Sequence, residues 1–303
     1  MPISAMTGAV IVTGASGFVG RSLMRVLEAN VTALHLAPLQ WIDAAHAAPF
    51  EGATVFHLAA RAHQMHGASE ADYTHDNVEK SRVLTDIAAR RGARRVVFLS
   101  TLKVNGEESC GRPFTATDEP APRNAYARSK LAAEEAIAGV AARHGLETTI
   151  VRAPLVYGEG ARGNLHALLR LADSPWPLPF AALDNRRSFI HVDDLAVLLL
   201  ACSERGEAAG RTYLAAHREP ASTQALIVAL RAALGRSRRL FPVAPSALEV
   251  AASTCGQGER MRRLTRSLEA DPSAAERDLG WCAKKTLAHA VADLVRGYRE
   301  LPA

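Results

Sequence analysis

The chain has 303 residues, of which 48% are hydrophobic and 22% are charged, and its formal net charge is +5. This balance predicts a globular protein with a sizeable core and one or two lobes. No stretch is long and apolar enough to span a membrane, and the start of the chain lacks the basic and apolar regions of a signal peptide. We therefore expect a cytoplasmic protein with no membrane partner.

Charge and cysteine usage narrow the class further. No basic stripe interleaved with aromatic residues is present, so no nucleic-acid partner is expected, and anionic diphosphate ligands account for some of the arginines equally well. The cysteines have no paired spacing, which indicates reduced thiols and predicts no metal site. They are Cys110, Cys202, Cys255 and Cys282.

The first predicted elements are a buried strand over Ala9–Val12 and a helix that begins at Phe18, with a glycine-rich turn between them. Gly14 permits the tight turn, Gly17 lets backbone N–H groups approach phosphates, and Gly20 allows close packing of helix on strand. The turn predicts a dinucleotide diphosphate site, although an ordinary α/β turn is the alternative. The predicted contacts are Gly14, Gly17, Phe18, Val19 and Gly20.

Strands and helices then alternate through the first half of the chain. Because such alternation places parallel strands between two layers of helices, the predicted fold is α/β, a Rossmann-type doubly wound parallel sheet. His57 is expected to be a packed, hydrogen-bonded core residue and not a catalyst. Further strands are predicted over Val31–Leu34, Thr54–Ala60, Arg95–Leu99 and Thr148–Arg152, and helices over Asn77–Arg91 and Tyr126–Arg143.

Tyr126 and Lys130 lie one turn apart on the same face of their predicted helix. A phenol has an unperturbed pKa of about 10, too high for proton exchange near neutrality, and an adjacent ammonium lowers that pKa by favouring the phenolate. We therefore predict that Tyr126 is a catalytic acid/base whose pKa Lys130 lowers. This spacing also occurs by chance on helices where the tyrosine only packs.

The glycine turn and the segment Tyr126-Ala127-Arg128-Ser129-Lys130 together resemble the short-chain dehydrogenase/reductase superfamily. Ser100-Thr101-Leu102-Lys103-Val104-Asn105-Gly106 is similar to the Ser-Ser-x-x-Val-Tyr-Gly signature of its extended branch, the nucleotide-sugar epimerases, dehydratases and reductases. The resemblance implies an NAD(P)-dependent enzyme in which the Thr101 hydroxyl hydrogen-bonds the reacting sugar oxygen while Tyr126 exchanges the proton. Capping of the strand end is the alternative role for the hydroxyls of Ser100 and Thr101.

The same resemblance implies further cofactor contacts. His57-Leu58-Ala59-Ala60 is similar to a strand end of the family whose small residues let the cofactor ribose lie against the backbone. His35 stands where many relatives carry an acidic residue, which leaves room for NADP as well as NAD because a carboxylate would repel the extra phosphate. Besides the glycine turn, the expected cofactor residues are His35, Leu58, Ala59, Ala60, Asn77, Tyr126, Lys130 and Pro154.

On the substrate side, the segment Arg187–Leu195 resembles a signature of nucleotide-sugar enzymes, which implies that Arg187 contacts the nucleotide diphosphate. Asn164, at the start of a helix that resembles the one holding the uridine side, is a further expected substrate contact beside Thr101. Asp193 and Asp194 are expected to cap the following helix. The resemblance also implies a homodimer formed through the Tyr126 helix.

The pattern changes after Arg152, where glycines and a proline-rich patch mark loops. We expect a dinucleotide-binding Rossmann domain formed by residues 1–154 and 186–215. A smaller C-terminal substrate-binding lobe is expected from residues 155–185 and 216–303.

The predicted reaction rests on departures from the family pattern. The 4,6-dehydratases carry Asp-Glu directly after the catalytic threonine, whereas this chain carries Leu102 and Lys103, so dehydration is not expected. Hydride transfer at C4 of a UDP-hexose is therefore the expected reaction. The stretch around Thr101 most resembles that of bacterial enzymes that reduce a UDP-4-keto-6-deoxy-N-acetylhexosamine for surface polysaccharide synthesis. A UDP-sugar 4-epimerase of the UDP-glucose or UDP-GlcNAc type is the alternative, and a non-catalytic dinucleotide-sensing protein is a third.

Overall fold

A computed structural model describes residues 8–27, 31–36, 41–61, 69–161 and 164–299. Within them, a six-stranded parallel sheet has the order β2-β1-β3-β4-β5-β8, and a separate parallel pair is formed by β6 and β7. The predicted doubly wound α/β fold is confirmed. The strands are β1 (Val10–Thr13), β2 (Val31–Leu34), β3 (Thr54–His57), β4 (Arg95–Thr101), β5 (Glu147–Ala153), β6 (Leu155–Tyr157), β7 (Phe189–His191) and β8 (Arg211–Leu214).

The strand order reverses at β1, because β2 lies on one side of it and β3 on the other. Every residue of β1 and of β3 is buried, as expected for strands covered by helices on both faces. In such sheets the crevice at the carboxyl ends of the two strands at the reversal is the usual ligand site. Here Gly14 follows β1 and Leu58 follows β3.

The helices pack on both faces of the sheet and in a second layer beyond β6 and β7. They are α1 (Phe18–Val26), α2 (Trp41–Ala47), α3 (Glu70–Tyr73), α4 (Lys80–Arg90), α5 (Ala125–His144), α6 (Asn164–Asp173), α7 (Val192–Glu204), α8 (Thr223–Ala233), α9 (Pro245–Thr254), α10 (Gly258–Thr265), α11 (Ser273–Leu279) and α12 (Leu287–Arg299). None of the helices described is long and apolar enough to cross a membrane.

One predicted boundary is wrong. The helical region expected to begin at Asn77 begins at Glu70 and runs through a π-helical segment, Thr74–Glu79, into α4. Its start is set by a capping box, in which the Ser69 side chain accepts from the Asp72 backbone and the Asp72 side chain accepts from the Ser69 backbone.

Two of the larger apolar cores bear on the predicted domain boundaries. One lies against the sheet and includes Phe56, Val97 and Leu198. Trp281, from the part of the sequence assigned to the lobe, also packs in this core. The other joins α6, α8 and α12 through residues such as Leu230. The domain boundaries given above remain a prediction.

Candidate active site

Two glycines of the first turn are fixed by close backbone contacts. Gly14 has a φ of +72°, and a Cβ there would lie 2.8 Å from the backbone nitrogen of Ala59. A Cβ on Gly20 would overlap the carbonyl oxygen of Gly14 and lie 2.7 Å from the Cα of Ala15. The turn therefore lies against the end of β3, and α1 lies against the turn, so neither position accommodates a side chain.

Gly17 differs, because it is the exposed N-cap of α1 and its φ of −71° is open to any residue. The first turn of α1 has no acidic residue, and its N-cap is a glycine, which has no side chain to occupy the backbone N–H groups. The backbone N–H groups of Phe18, Val19 and Gly20 therefore lie at a helix end with positive potential and no competing anion. This end of the crevice fits a dinucleotide diphosphate.

The end of β3 is joined to β1 by hydrogen bonds. The Ala59 backbone donates to Thr13 Oγ1 over 3.2 Å, and Thr13 Oγ1 lies 2.7 Å from His57 Nδ1. His57 is 1% exposed, its Nε2 lies 2.8 Å from Ser81 Oγ, and burial lowers its pKa to about 3. The prediction that His57 is a neutral core residue is confirmed. Leu58 is half-buried and Ala60 exposed, so this strand end opens to the crevice.

Asn77 lies buried in the π-helical segment, where its side-chain amide has protein partners. Its Oδ1 accepts from the Arg61 backbone over 2.7 Å, and its Nδ2 donates to Ser129 Oγ over 2.9 Å. Ser129 Oγ in turn donates to the Tyr126 carbonyl over 2.8 Å. Asn77 thus connects the segment after β3 to α5. Its expected role at the cofactor remains a prediction.

The α5 helix carries Tyr126 and Lys130 one turn apart and packs against β4 and the 3-10 turn Leu102–Val104. Asn124 caps α5 by accepting a hydrogen bond from the Ala127 backbone over 2.8 Å. Lys130 is 2% exposed, and its Nζ lies 3.9 Å from the centroid of the Phe98 ring.

The electrostatics at α5 differ from the prediction. Burial lowers the pKa of Lys130 to about 7, with Glu134 opposing the shift. Burial, and secondarily Tyr73, raises the pKa of Tyr126 to about 12. The expectation that the phenol pKa is lowered is therefore wrong for this structure, because burial shifts the pKa of Tyr126 in the opposite direction. The phenol is held in its protonated form at neutral pH.

Thr101 ends β4 and begins the 3-10 turn, where its Oγ1 accepts from the Lys103 backbone over 3.4 Å. It is 9% exposed and pairs in register with Ala153, the residue before the half-buried Pro154. The capping role considered for this residue is therefore present, and it leaves the hydroxyl at the carboxyl edge of the sheet.

A buried ion pair behind these residues was missed by sequence reasoning. Arg152 Nη2 lies 2.6 Å from Glu134 Oε2, and the two side chains are 6% and 4% exposed. Ser100 Oγ donates to Glu134, and Arg152 Nη1 donates to Asn105 Oδ1 over 3.1 Å. The available signal was Glu134 itself, four residues after Lys130 on the same helix face.

Arg187, the predicted diphosphate contact, is half-buried, and its Nη1 donates a hydrogen bond to the Arg266 carbonyl over 2.9 Å. Burial lowers its pKa to about 10, while the Glu107 carboxylate raises it and Arg263 lowers it. Glu107 and Arg263 also line a cavity of about 840 Å³ between the loop of residues 105–124 and α10. These two residues were not singled out from the sequence, where nothing links them to Arg187.

The expected capping by Asp193 and Asp194 is wrong. The N-cap of α7 is His191, whose Nδ1 accepts from the Asp193 backbone over 3.1 Å. Asp193 instead accepts from Ser22 Oγ over 2.7 Å, and Asp194 Oδ2 accepts from the Lys285 backbone over 2.8 Å. Both carboxylates therefore tie α7 to distant segments.

Two remaining predicted contacts are less defined. His35 is exposed directly after β2, at the edge of the sheet where an adenosine ribose was expected. Asn164 is the first residue of α6, but its side chain lies outside the described residues, as does Gly163.

A glycine-cradled helix end at the reversal of a parallel sheet, with a half-buried tyrosine and a buried lysine one turn apart on α5, defines a dinucleotide-dependent α/β enzyme. The model of the NAD dependent epimerase/dehydratase family matches residues 10–216. The chain belongs to this family, as its sequence motifs predicted. It is therefore an NAD(P)-dependent enzyme of the class that acts on nucleotide sugars.

Similar proteins include both epimerases and reductases. The UDP-glucose 4-epimerase of Vibrio cholerae is 30% identical over 305 residues, covering 93% of each chain. The dTDP-4-dehydrorhamnose reductase of Mycobacterium tuberculosis is 32% identical over 208 residues, covering 65% of this chain and 66% of the relative.

Solved structures share the fold over almost the whole chain. RMD from Pseudomonas aeruginosa, complexed with NADPH, has a TM-score of 0.79 at 20% identity and covers 97% of this chain and 100% of its own. UDP-glucose 4-epimerase from Thermotoga maritima, with UDP-glucose, has a TM-score of 0.75 at 20% identity, and the match covers 97% of this chain and 99% of the epimerase chain.

Proposed function

We propose that this protein reduces the 4-keto group of a UDP-4-keto-6-deoxy-N-acetylhexosamine with NADH or NADPH, in the synthesis of a surface polysaccharide. The observation that carries the proposal is the set of Thr101, Tyr126 and Lys130 at the carboxyl edge of the sheet, beside a helix end suited to a diphosphate. The residues proposed to hold the cofactor include those of the glycine turn and of the β3 end. Arg187 and Asn164 are proposed to hold the nucleotide.

The dinucleotide, when bound, supplies the hydride for C4. The Thr101 hydroxyl donates a hydrogen bond to the 4-keto oxygen and orients it, and Tyr126 gives its proton to that oxygen as negative charge develops there. A phenol with a pKa of about 12 is protonated at neutral pH, which is the form that reduction of a ketone requires.

The residues after Thr101 argue against dehydration. Leu102 is fully buried in an apolar cluster with Leu214 and Leu268, and Lys103 is paired with Glu107. A base that removes a sugar proton would need a free carboxylate or a neutral amine, and this stretch presents a buried leucine and an ion-paired ammonium.

A 4-epimerase is the second candidate, because the Vibrio cholerae relative covers 93% of this chain and carries that name. An epimerase oxidises and re-reduces the same sugar, so it consumes no cofactor overall. The first step would need Tyr126 as a base, and the raised phenol pKa makes the free protein less suited to that step.

The deciding experiment follows reduced cofactor and sugar together. The purified protein is incubated with UDP-4-keto-6-deoxy-HexNAc and NADH or NADPH, and in parallel with UDP-Glc and UDP-GlcNAc. Loss of one reduced cofactor per sugar product supports the reductase. Interconversion of UDP-Glc with UDP-Gal, or of UDP-GlcNAc with UDP-GalNAc, together with an unconsumed cofactor in the first reaction, establishes the epimerase.

We also propose a homodimer formed through α5 and a cytoplasmic location. The first is tested by light scattering of the full chain, with charged substitutions on the exposed face of α5 as the disrupting variants. The second is tested by fractionation of cells that express the protein.

A further inference from the structure

Glu107 lies between the predicted reacting groups and the predicted diphosphate arginine. Its Oε1 is 3.2 Å from Lys103 Nζ, and the same oxygen accepts a hydrogen bond from Asn124 Nδ2. Lys103 follows Thr101 by two residues and donates its backbone N–H to the Thr101 hydroxyl, while Asn124 caps the helix that carries Tyr126. Glu107 therefore touches both walls of the proposed catalytic centre.

Three cations and two carboxylates form one cluster. Glu107 raises the pKa of both Lys103 and Arg187, Arg263 lowers the pKa of both, and Glu259 also raises the pKa of Lys103, so Lys103 and Arg187 each lie within electrostatic reach of Glu107 and of Arg263. Arg263 also pairs with Glu259, which is 71% exposed and is therefore more strongly screened by water. Glu107, at 24% exposure, is the better shielded counter-charge of the cluster.

Among the described residues that line the cavity, arginines and carboxylates are equal in number, so its cations are already compensated by fixed negative charge. A group of cations favours an anionic ligand, and a fixed carboxylate in the same place opposes it. From this geometry we infer that Glu107 is an internal counter-ion that competes with the substrate's diphosphate for Lys103, Arg187 and Arg263, and so weakens nucleotide binding. The inference rests on the proposed function, because it takes Arg187 as a diphosphate ligand. Its consequence is an enzyme that releases its nucleotide-sugar product more readily than its arginines alone would allow.

A purely structural role makes the opposite prediction. If Glu107 only joined the turn after Thr101 to α5, its substitution would loosen the site and weaken every ligand. A competing counter-ion, when neutralised, leaves a site that binds a diphosphate more tightly. The sign of the change in nucleotide affinity therefore separates the two roles.

The test titrates the full chain with UDP, which binds without turnover, by calorimetry at low and high salt. Glu107→Gln keeps a side-chain oxygen for Asn124 and Lys103 but removes the charge. We expect UDP to bind this variant about tenfold more tightly at low salt, with the gain shrinking as salt rises.

The matched control is Glu108→Gln, the same change at the next residue. Glu108 pairs with Arg266 over 3.3 Å, and both side chains are nearly half exposed. UDP affinity within about twofold of the wild type is expected there, because exposed pairs contribute little. A gain in Glu108→Gln equal to that in Glu107→Gln would overturn the inference, since any lost negative charge would then suffice.

Lys103→Met supplies a second variant with the opposite expected sign. In this variant the Glu107 carboxylate stays in place without its nearest cation, so UDP binding should weaken by about tenfold. The double variant Lys103→Met/Glu107→Gln should bind UDP within about twofold of the wild type, because its net charge is unchanged. If Glu107→Gln does not fold, unchanged or tighter binding by Lys103→Met overturns the inference, and weaker binding supports it.

Failure of the inference and of the proposed function are distinguishable. A folded Glu107→Gln with unchanged or weaker UDP affinity, beside a wild type that binds UDP, overturns only the inference. A wild type that binds neither UDP nor dTDP overturns the proposed function, and the inference with it.

Discussion

The two ends of the cleft are built from different chemical groups. At the end near β1, the groups proposed to approach a ligand are backbone atoms, held by Gly14 and Gly20 at distances that exclude any side chain. At the other end the proposed groups are charged side chains from two segments of the chain, Lys103 with Glu107 and Arg187.

This difference predicts how each end responds to mutation. Backbone groups positioned by Gly14 and Gly20 cannot be altered without disturbing the packing of strand and helix, because the same atoms serve the fold and the proposed ligand site. Charged side chains can be changed one at a time, and their effect on affinity can have either sign. The predictions below test this contrast from the largest expected effect to the smallest.

Gly20→Val should abolish the folded state. The new side chain would overlap the Gly14 carbonyl and approach the Ala15 Cα at 2.7 Å, and backbone atoms there cannot move aside. We expect a loss of more than about 3 kcal/mol in the free energy of unfolding, measured by denaturant titration. The control is Gly139→Ala in α5, where the nearest atom is 4.0 Å away and a gain of about 0.5–1 kcal/mol is expected. A stable Gly20→Val variant would contradict the view that the end near β1 is built from backbone groups that no side chain can disturb without unfolding.

Tyr126→Phe should lower kcat by about 10²–10⁴-fold, because it removes only the transferable proton. The phenylalanine ring would keep the packing beside Tyr73, whose ring centroid lies 6.3 Å from that of Tyr126. Affinity for the dinucleotide, followed by fluorescence of the reduced cofactor, should therefore stay within about twofold of the wild type. Near-normal turnover in this variant would remove Tyr126 from the mechanism.

Gly17→Val separates the backbone's role in binding from its role in folding. The φ of −71° tolerates valine, and a new Cβ would lie 3.1 Å from the Gly14 oxygen, a tight contact that a shift of a few tenths of an ångström relieves, so the sheet should remain folded. Dinucleotide affinity should fall by at least about 100-fold, because a branched side chain would stand at the helix end proposed to meet the diphosphate. Undiminished affinity in the folded variant would show that the turn is structural only.

Arg187→Ala should raise the KM for the UDP-sugar by about 10–100-fold with little change in cofactor affinity, because a charge-assisted donor is lost at the substrate end only. Arg187→Lys should restore part of this loss, since a point charge cannot reproduce a planar fork. Steady-state kinetics against each ligand in turn provide the measurement. An equal loss of affinity for the UDP-sugar and for the cofactor would contradict the proposal that the two ends of the site bind different ligands.

The smallest expected effect is a pH dependence of stability from Lys130. Its pKa is about 7 in the folded protein and near 10.5 when unfolded, so above pH 7 the unfolded chain binds more protons and stability rises with pH. Between pH 7 and pH 9 the Tm of the ligand-free protein should gain about 2–5 °C from this group. The difference between wild type and Lys130→Met isolates the contribution, and identical pH profiles for the two proteins would refute it.

Local sequence patterns were sufficient to predict the fold and to indicate several residues of the proposed site. The alternation of apolar strands with amphipathic helices predicted the parallel sheet, and the spacing of Gly14, Gly17 and Gly20 predicted the turn after β1. Tyr126 and Lys130 could be placed on one helix face because a four-residue offset fixes their relation. The family followed from these same motifs and from the stretch around Thr101.

Contacts between groups far apart in the chain became visible only in three dimensions. Glu134 pairs with Arg152, Asp193 accepts a hydrogen bond from Ser22 and does not cap its own helix, and Glu107 accepts a hydrogen bond from Asn124. The protonation of Tyr126 belongs to the same class, since the raised pKa comes from burial by surrounding elements. Desolvation and pairing are properties of an environment assembled from many segments, and no local sequence pattern records that environment.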